Sequence, residues 1–533
     1  MSTMRIGGLA SGMDIDTLVE KLMQAERAPL DKLEQKKQTY EWQRDAYRDV
    51  NTKLQTFDTY IADNLILKSL NTKTATSSNS DLVGVTATSA APGTLSIEGV
   101  SQLATAARAI SSAPVQTQSS ENATGSTLIK DLQGFSLSNT GEYSILLKSI
   151  DKTGSLGSTA EIKFKATDTI DDVVSKINSS AAGVTAFFDS GKLSLTAKNT
   201  GQLKGDAAEI QLVSDEAING NTVTGTGNVL FSLLNIDSPI QGGSNAKLSV
   251  NGIEIERSSN NFTVNGYLIS LKDKFNTSYA ITGETVSLTS TTNVDEIITK
   301  IKDFVTTYNG LITDLNNLTN ETKYRDYQPL TTLQREEMEE KEIELWEKKA
   351  KSGLLRGDSI IKNGLSSIRS LIYQSNPAVT NMKYNTLYNI GISTSTNYLS
   401  GGTLEIDEDK LKAALMEDPD SVTKLLTFSN GKEKDMVVVN GVTKEVDTRG
   451  FMQKLRDEMT KIKLNIEGRA GRSTMSETQY TLGKYLKNVK DSINTWEDKL
   501  EAIETRYWNR FTAMETAINK ANSQSTSLSS YFS

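Results

Sequence analysis

The chain is 533 residues long, which is too long for one hydrophobic core and corresponds to about three or four domains. It contains neither cysteine nor histidine, so it lacks the commonest ligands for zinc, copper and iron and the commonest general base at neutral pH. The net charge of −8 is spread along the chain, and no basic face for nucleic acid is visible. We therefore expect no enzyme, no metal or cofactor site and no binding of nucleic acid.

The first residues do not predict a signal peptide. Residues 1–14 contain one arginine and no long apolar core, unlike a cleavable secretory signal. No apolar run approaches the roughly 18 residues that a membrane-spanning helix needs. The glycines at 7, 8 and 12 do not form a phosphate-binding loop, because no strand precedes them and no Gly-Lys-Ser/Thr follows. We expect the glycine-rich residues 4–12 to be flexible.

Two helices are predicted next. Asp14 or Asp16 can cap a helix that runs to the Ala28–Pro29 step, because a proline disfavours helical geometry in the residue before it. A second helix continues to about Leu67, and its apolar side chains recur mainly every seven residues. The members of this sparse seam are Leu33, Tyr40, Tyr47, Val50, Leu54, Phe57 and Ile61. We predict that they pair with another helix of the chain, for which the C-terminal helix is a candidate.

From Thr72 to about Ser290 the composition shifts to Thr, Ser, Asn, Gly, Val and Ile, and none of the four tryptophans lies there. Alternation of apolar and polar residues, as in Thr94–Val100, predicts β-strands. The Asn-Gly pairs at Asn251–Gly252 and Asn265–Gly266 lie between such runs and predict tight hairpins. This part of the chain is therefore expected to be rich in β-structure.

Residues 143–197 have a pattern of their own within the β-rich part. They predict a strand, a helix that begins at Thr169 and two further strands. The stretch resembles the short β-α-β motif that recurs in flagellin and hook-type proteins. Its simplest interpretation is a compact exposed module without chemistry.

Helical spacing returns at Val294, and the wide apolar seam of this helix predicts that it lies at the centre of a helical domain. Thr331–Gln334 has a capping-box pattern that begins the next helix, and Gly353 is expected to end that helix in the left-handed conformation. The many charges from Glu336 to Lys351 fit a solvated helix face better than an acidic metal site.

The elements predicted after Gly353 are helices capped by Asp358, Asp407 and Asp418, strands at 387–394 and 403–406, a hairpin at Asp435–Val446 around Asn440–Gly441, and a helix at 451–466. Glycine, arginine and serine are enriched from Gly468 to Ser476. We expect that segment to act as a hinge before the last helix.

The C-terminal helix, from Tyr480 to Ala521, has the most regular pattern in the chain. Its apolar residues follow each other at alternating steps of four and three, interrupted only by Arg510, so one narrow stripe of a largely polar helix is apolar. We name this stripe the C-terminal seam and predict that it binds partners. Its candidate residues are Leu482, Leu486, Val489, Ile493, Trp496, Leu500, Ile503, Tyr507 and Met514.

The C-terminal seam can pack within its own domain or against other subunits, because a helix of this kind is not stable alone. The second predicted helix, with which the seam is expected to pair, carries Lys36 and Gln43 at positions where the seam itself is apolar throughout. We therefore expect part of the seam to lack a cover within the chain and to be covered by another subunit. The side chains concerned are Ile493, Trp496, Leu500 and Ile503.

These elements predict an α+β multidomain fold. The N- and C-terminal helices pair as a coiled-coil-like stalk, and β-rich head domains are inserted between them. The predicted parts are a terminal domain of residues 1–40 and 471–533, a stalk domain of 41–71 and 291–470, and a head of 72–290 with a second domain nested around 116–235. This architecture favours an assembly protein.

No motif points to catalysis. The sequence contains no Gly-x-Ser-x-Gly elbow, no EF-hand calcium loop and no dinucleotide fingerprint. A pair of catalytic carboxylates cannot be judged from the number of acidic residues, since such a pair depends on proximity.

Two parts of the chain, together with the C-terminal heptad helix, resemble one known family. Residues 6–30, IGGLASGMDIDTLVEKLMQAERAPL, are similar to the N-terminal signature of the flagellar filament cap family, also called the flagellar hook-associated protein 2 family. Residues 327–331, YQPLT, and 338–355, MEEKEIELWEKKAKSGLL, resemble the body of the same proteins. The middle third of the chain is less closely matched.

The resemblance implies a secreted structural cap at the distal tip of a bacterial flagellum, with no cofactor and no membrane insertion. Five or six copies would form a plate, with the helical ends as legs in the filament and the β-rich domains as the head. The implied partners are other copies of the chain, flagellin, the hook-filament junction proteins and an export chaperone. The alternative is an adhesin at the tip that binds host mucin or glycan through the head.

Overall fold

The computed structural model describes residues 14–532 apart from 69, 140, 206, 219–220, 237–239, 241, 398–400 and 440–441. The predicted flexible segment 4–12 and the Asn440–Gly441 turn lie outside the described residues. The chain divides into two compact units. We call Met1–Asn71 with Val294–Ser533 the helical unit, and Thr72–Asn293 the β-rich unit.

The chain begins with helices α1 (Ile15–Glu26) and α2 (Ala28–Ile61), and α2 continues as a π-helix at Ala62–Leu67. Asp14, and not Asp16, caps α1, since its carboxylate accepts a hydrogen bond from the Thr17 backbone N at 3.0 Å. The two helices meet at Arg27. Pro29 lies inside the first turn of α2, where a proline is tolerated because its missing N–H has no intrahelical partner there.

The β-rich unit contains sixteen strands and two α-helices among its described residues. In chain order they are β1 (Lys73–Ser77), β2 (Val83–Ala87), β3 (Thr94–Gln102), β4 (Arg108–Ile110), β5 (Glu142–Ser149), β6 (Ala160–Lys165), α3 (Ile170–Ser179), β7 (Val184–Asp189), β8 (Lys192–Ala197), β9 (Ile210–Val213), β10 (Asp215–Ile218), β11 (Asn221–Thr224), α4 (Gly227–Leu233), β12 (Ala246–Val250), β13 (Ile253–Arg257), β14 (Asn261–Val264), β15 (Tyr267–Leu271) and β16 (Val286–Thr292).

The strands of this unit form five antiparallel sheets, ordered β1-β16-β3-β12-β13, β14-β15-β2, β4-β8-β7, β6-β5-β9 and β10-β11. The predicted hairpins are confirmed, and all four of their Asn-Gly residues have positive φ, as the tight hairpin turn requires. Thr169 and Asp172 form a capping box at the start of α3, which confirms the predicted helix start.

Two separate hydrophobic clusters stabilise the β-rich unit. One cluster draws its buried side chains from residues 107–240 and includes Phe164, Ile170 and Phe231. The other draws them from residues 83–104 and 246–288. The segment that forms the first cluster is therefore inserted between the two segments that form the second.

The helical unit resumes with α5 (Val294–Asn320), α6 (Thr332–Glu336), α7 (Glu340–Lys351), α8 (Ser359–Ile372), β17 (Ile392–Thr394), β18 (Leu404–Ile406), α9 (Glu408–Glu417), α10 (Pro419–Thr427), β19 (Asp435–Val439), β20 (Val442–Val446), α11 (Phe451–Ala470) and α12 (Thr481–Phe532). The caps at Asp358, Asp407 and Asp418 and the hairpin of β19 and β20 are confirmed.

Three predicted elements of the helical unit differ from the structure. The single helix expected from Thr331 to Gly353 is two helices, because Glu339 is extended and begins α7 with a second capping box to Glu342. The strand expected at 387–394 is reduced to β17, since a 3₁₀ turn precedes it and Gly391 is left-handed at φ +86°. The helix expected to end at residue 466 continues to Ala470.

The main core of the helical unit is formed by α2, α5, α8 and α11 together with the shorter elements of 379–426. The Phe304 ring lies 6.0 Å from that of Phe57 and 6.3 Å from that of Phe451. Asp58 of α2 is buried and accepts hydrogen bonds from Arg456 at 2.7 Å and Lys463 at 3.5 Å, both on α11. A buried carboxylate is tolerated here because two cations compensate it.

Candidate interaction surface

The C-terminal seam lies along α12, and its burial changes with position. Leu482 and Leu486 are fully buried, and Val489, Ile493 and Leu500 are nearly so. The other four seam residues, Trp496, Ile503, Tyr507 and Met514, are half-buried. The structure therefore covers the first half of the seam within the chain and leaves the second half partly open.

Helices α1 and α2 cover the first half of the C-terminal seam. Leu30 forms a cluster with Val489, Ile493 and Leu500, and Met23, Leu33, Tyr40 and Trp496 pack against that cluster. The rings of Tyr40 and Tyr485 are 5.6 Å apart. These contacts run antiparallel, because Tyr40 faces the start of α12 while Met23 and Leu30 face its later turns.

The expectation that Ile493 and Leu500 lack a cover within the chain is wrong. Lys36 and Gln43, on which it was based, do not face the seam: Lys36 is exposed, and the Gln43 side chain donates to the Leu354 carbonyl at 3.4 Å. The predicted residues Leu33 and Tyr40 do reach the seam, and the covering residues that the sequence analysis missed are Met23 and Leu30. Their seven-residue spacing, with Leu33 three residues after Leu30, was the signal in the sequence that could have found them.

The predicted stalk-pairing residues divide between two neighbours. Leu33 and Tyr40 reach α12. Tyr47, Val50, Leu54, Phe57 and Ile61 lie in the main core with α5 and α11. The Tyr47 hydroxyl also donates to Asp358. Helix α2 therefore contributes both to the main core and to the contact with α12.

Tyr507 marks the last polar contact between α12 and the N-terminal helices among the described residues. Its hydroxyl donates to the Glu26 carboxylate at 2.9 Å, and this hydrogen bond raises the pKa of Tyr507. After Leu500, no seam residue that the structure describes is fully buried. Ile503 and Met514 are therefore the seam positions best placed to contact another subunit.

The segment predicted as a hinge is held by Arg48. Gly468 lies inside α11, and the Arg48 guanidinium donates to the carbonyls of Ala470, Gly471 and Arg472 at 3.1–3.3 Å. Arg48 also lies over the Tyr480 ring, 5.8 Å from its centroid. Gly471 has a φ of +65°, and a Cβ there would be 2.3 Å from the Tyr480 ring. The junction of α11 and α12 is thus a packed turn.

Arg48→Ala is expected to lower the free energy of unfolding of the helical unit by about 1–3 kcal/mol, because three carbonyls at the end of α11 lose a charged donor. Urea unfolding followed by tryptophan fluorescence measures this change. Arg48→Lys is the matched control; it keeps the charge but not the planar fork, so an intermediate loss is expected. Unchanged stability of both variants would show that the junction does not depend on Arg48.

The described residues show neither a cluster of metal ligands nor a membrane-spanning helix. No group of three or more Asp and Glu side chains among them is placed to hold a metal ion. None of the helices that the structure describes is long and apolar enough to cross a membrane. The surface around the C-terminal seam is therefore the strongest candidate for function.

Sequence comparisons identify related proteins along the whole chain. Family models described as flagellar hook-associated protein 2 N-terminus and C-terminus match residues 11–107 and 243–523. A model described as the flagellin hook IN motif matches residues 145–199. These three matches cover both helical ends and the predicted β-α-β stretch.

Curated relatives extend over the full length. The flagellar hook-associated protein 2 of Halalkalibacterium halodurans is 35% identical over 99% of this chain and 100% of its own. The protein of the same name from Thermotoga maritima is 24% identical over 98% of this chain and 94% of its own. That of Escherichia coli K12 is 24% identical over 98% and 97%.

Among solved structures, the D1-D2-D3 domains of the flagellar cap protein FliD from Escherichia coli match 84% of this chain and 99% of that one. The sequence identity is 22% and the TM-score is 0.49.

Proposed function

Because this chain belongs to the flagellar hook-associated protein 2 family, we propose that it is a structural cap at the distal tip of the bacterial flagellar filament. There it promotes the folding and insertion of exported flagellin, prevents flagellin from leaking, and is required for filament elongation and motility. The observation that carries this proposal is the 35% identity to a family member over 99% of the chain. The resemblance inferred from residues 6–30 and 327–355 is thereby confirmed.

The partners follow from the same role. Several copies, five or six by the family resemblance, form a closed plate that contacts flagellin and the hook-filament junction proteins, and a chaperone accompanies export. The second half of the C-terminal seam, with Ile503 and Met514, supplies the surface of each leg that meets the filament. Support comes from the half-buried state of these side chains beyond the cluster of Leu30. The relatives found give the adhesin alternative no support.

A deletion strain tests the proposed function. Without this protein, flagellin should accumulate as monomer in the medium and filaments should be absent or very short, and a plasmid copy should restore them. Electron microscopy of the purified protein should show closed rings. Filaments of normal length in the deletion strain would contradict the capping role, whatever the oligomeric state.

We also propose that residues 72–290 form a head that is an insertion, with a second domain nested around 116–235. Two features support this division. The first and last strands, β1 and β16, pair with Lys73 opposite Thr292, and Asn293 N donates to Thr72 O at 2.9 Å. The chain therefore enters and leaves the β-rich unit at neighbouring points. The nested cluster of residues 107–240 supports the second domain.

Replacing Thr72–Asn293 with a short glycine-serine linker is expected to leave the helical unit folded, because the linker has only a small gap to close. Circular dichroism should show a helix-rich protein that melts cooperatively. The matched control is the excised β-rich unit, which should fold alone with a strand-rich spectrum. Loss of helical signal in the linked variant would place the domain boundary elsewhere.

A further inference from the structure

The hairpin of β19 and β20 exposes an apolar face. Among the described strands these two pair only with each other. Met436 and Val438 are 65% and 67% exposed, and they point to the same side because they are two residues apart in one strand. A two-stranded hairpin is only marginally stable in water and gains stability when a further element packs on its apolar face. The described part of the chain supplies no such element.

A second exposed apolar surface lies elsewhere on the helical unit. Met382, Tyr388 and Met416 are between 66% and 73% exposed, and we name them the methionine patch. Lys383 bonds Glu417 at 2.7 Å, so the segments that carry Met382 and Met416 are adjacent. The Asn389 side chain donates to the Met382 carbonyl at 3.5 Å, so the short segment that carries Tyr388 is adjacent to that of Met382. Large apolar side chains grouped on a surface indicate an interaction site.

The hairpin and the methionine patch lie at opposite ends of α10. At its start, Asp418 accepts a hydrogen bond from Asn381 at 2.8 Å, next to Met382. At its end, the Phe428 carbonyl accepts a hydrogen bond from Gly450 N at 2.8 Å, where the chain returns from the hairpin. The nine residues of α10 separate these points by about 13 Å. The two surfaces are therefore separate, and both are exposed within one chain.

We propose that the hairpin of one copy docks on the methionine patch of the next copy. This inference rests on the proposed homo-oligomeric cap and identifies one of its interfaces. A contact between two different surfaces of identical chains repeats head to tail and closes into a ring when the rotation allows. Methionine side chains adapt their shape to a partner, which suits the insertion of Met436 and Val438.

The charges of the two surfaces match. Glu445 is opposite Met436 in the hairpin register, so it lies on the same face. Lys410 lies over the Tyr388 ring at 4.3 Å and donates to the Tyr388 carbonyl. Neither Glu445 nor Lys410 forms an ion pair within the residues that the structure describes. Docking brings these opposite charges together at the rim, where they favour the correct register.

Cysteine cross-linking tests the interface, because the chain has no cysteine of its own. Val438→Cys and Met416→Cys, made in separate full-length chains, are mixed and treated with a short bismaleimide. The mixture should give a cross-linked dimer several-fold more efficiently than either variant alone. The matched control is Leu268→Cys, an exposed position of the β-rich unit, mixed with Val438→Cys. A chain with both substitutions should give a ladder of oligomers.

A charge exchange gives an independent readout. Glu445→Lys or Lys410→Glu alone should reduce cross-linking about tenfold, because like charges then meet at the rim. Mixing chains in which both charges are reversed should restore the cross-linking, because opposite charges then meet again at the rim. Thermal melting of Glu445→Lys should be unchanged, because Glu445 is exposed. Lys410→Glu loses the contacts of Lys410 with Tyr388, so a slightly lower melting temperature is expected for it, and the mixture with reversed charges shows whether cross-linking follows charge and not stability.

Each other outcome rejects the interface. Rings in electron micrographs without cross-links would reject it and leave the proposed cap intact. Strong cross-linking of Val438→Cys with itself would indicate a symmetric contact instead. Cross-links to added flagellin in place of a second copy would assign the patch to another occupant. Absence of any oligomer in sedimentation would remove both this interface and the homo-oligomeric plate.

Discussion

Replacing Ile503 and Met514 together with aspartate is expected to abolish retention of the protein at filament tips and to release monomeric flagellin into the medium. Both side chains belong to the C-terminal seam but lie beyond the cluster that Leu30 forms with Leu500, and both are only half-buried. Full burial of such a side chain is worth about 1.5–3 kcal/mol relative to full exposure, and contact with another subunit supplies the part of this gain that the single chain leaves unrealised. A charge at two such positions removes this gain and adds a desolvation cost.

The fold of the single chain should survive this change, because the main core contains neither residue. Thermal melting and tip labelling by immuno-electron microscopy measure the two effects separately. Thr505→Asp with Thr512→Asp is the matched control; it adds the same charges at exposed positions of α12 and should cap normally. Normal capping by the Ile503 and Met514 variant would show that this part of the seam has no partner.

Ile493→Asp should behave differently. Ile493 is packed against Leu30 in the same chain, so a buried charge there should separate α12 from α1 and α2 before any partner is involved. A lower melting temperature is therefore expected for Ile493→Asp but not for the Ile503 and Met514 variant. The comparison distinguishes pairing within the chain from contact between chains.

Phe304→Ala is expected to lower the free energy of unfolding of the helical unit by about 3–5 kcal/mol, because it removes a large buried side chain and leaves a cavity. Phe304 is fully buried on α5 among the rings of Phe57, Tyr308 and Phe451, at 5.9–6.3 Å between centroids. These neighbours come from three helices, so the surrounding structure can close the cavity only in part.

Tryptophan fluorescence in a urea titration measures this loss selectively, because all four tryptophans lie in the helical unit. The unfolding of the β-rich unit is followed by its strand signal in circular dichroism, and it should be the same as in the unmodified protein. Phe187→Ala is the control; that phenylalanine is 64% exposed, and a change within about 0.5 kcal/mol is expected. A loss below about 1 kcal/mol for Phe304→Ala would show that the core is not organised around α5.

Local signals in the sequence predicted most of the secondary structure. The caps at Asp358, Asp407 and Asp418, the helix start at Thr169, the capping box at Thr331 and the hairpins at Asn251 and Asn265 appear where they were expected. Each depends on hydrogen bonds between residues at most a few positions apart, so the sequence alone contains the necessary information. The N-terminal signature likewise identified the family, because residues 6–30 form one continuous stretch of the chain.

The cover of the C-terminal seam was decided by the tertiary structure. Helical periodicity shows that Ile493 and Leu500 need an apolar neighbour, but not which of several seams supplies it. The break between α1 and α2 at Arg27 and the contact of Gln43 with Leu354 set which face of α2 meets α12, and this brings Met23 and Leu30 over the seam. The methionine patch likewise draws its side chains from separate segments, two of which are linked by the Lys383–Glu417 pair. The sequence by itself determined the family, the element types and most element ends, because these are local properties. The neighbours of each apolar face depend on contacts between residues that are distant in the chain, and only the folded chain defines these contacts.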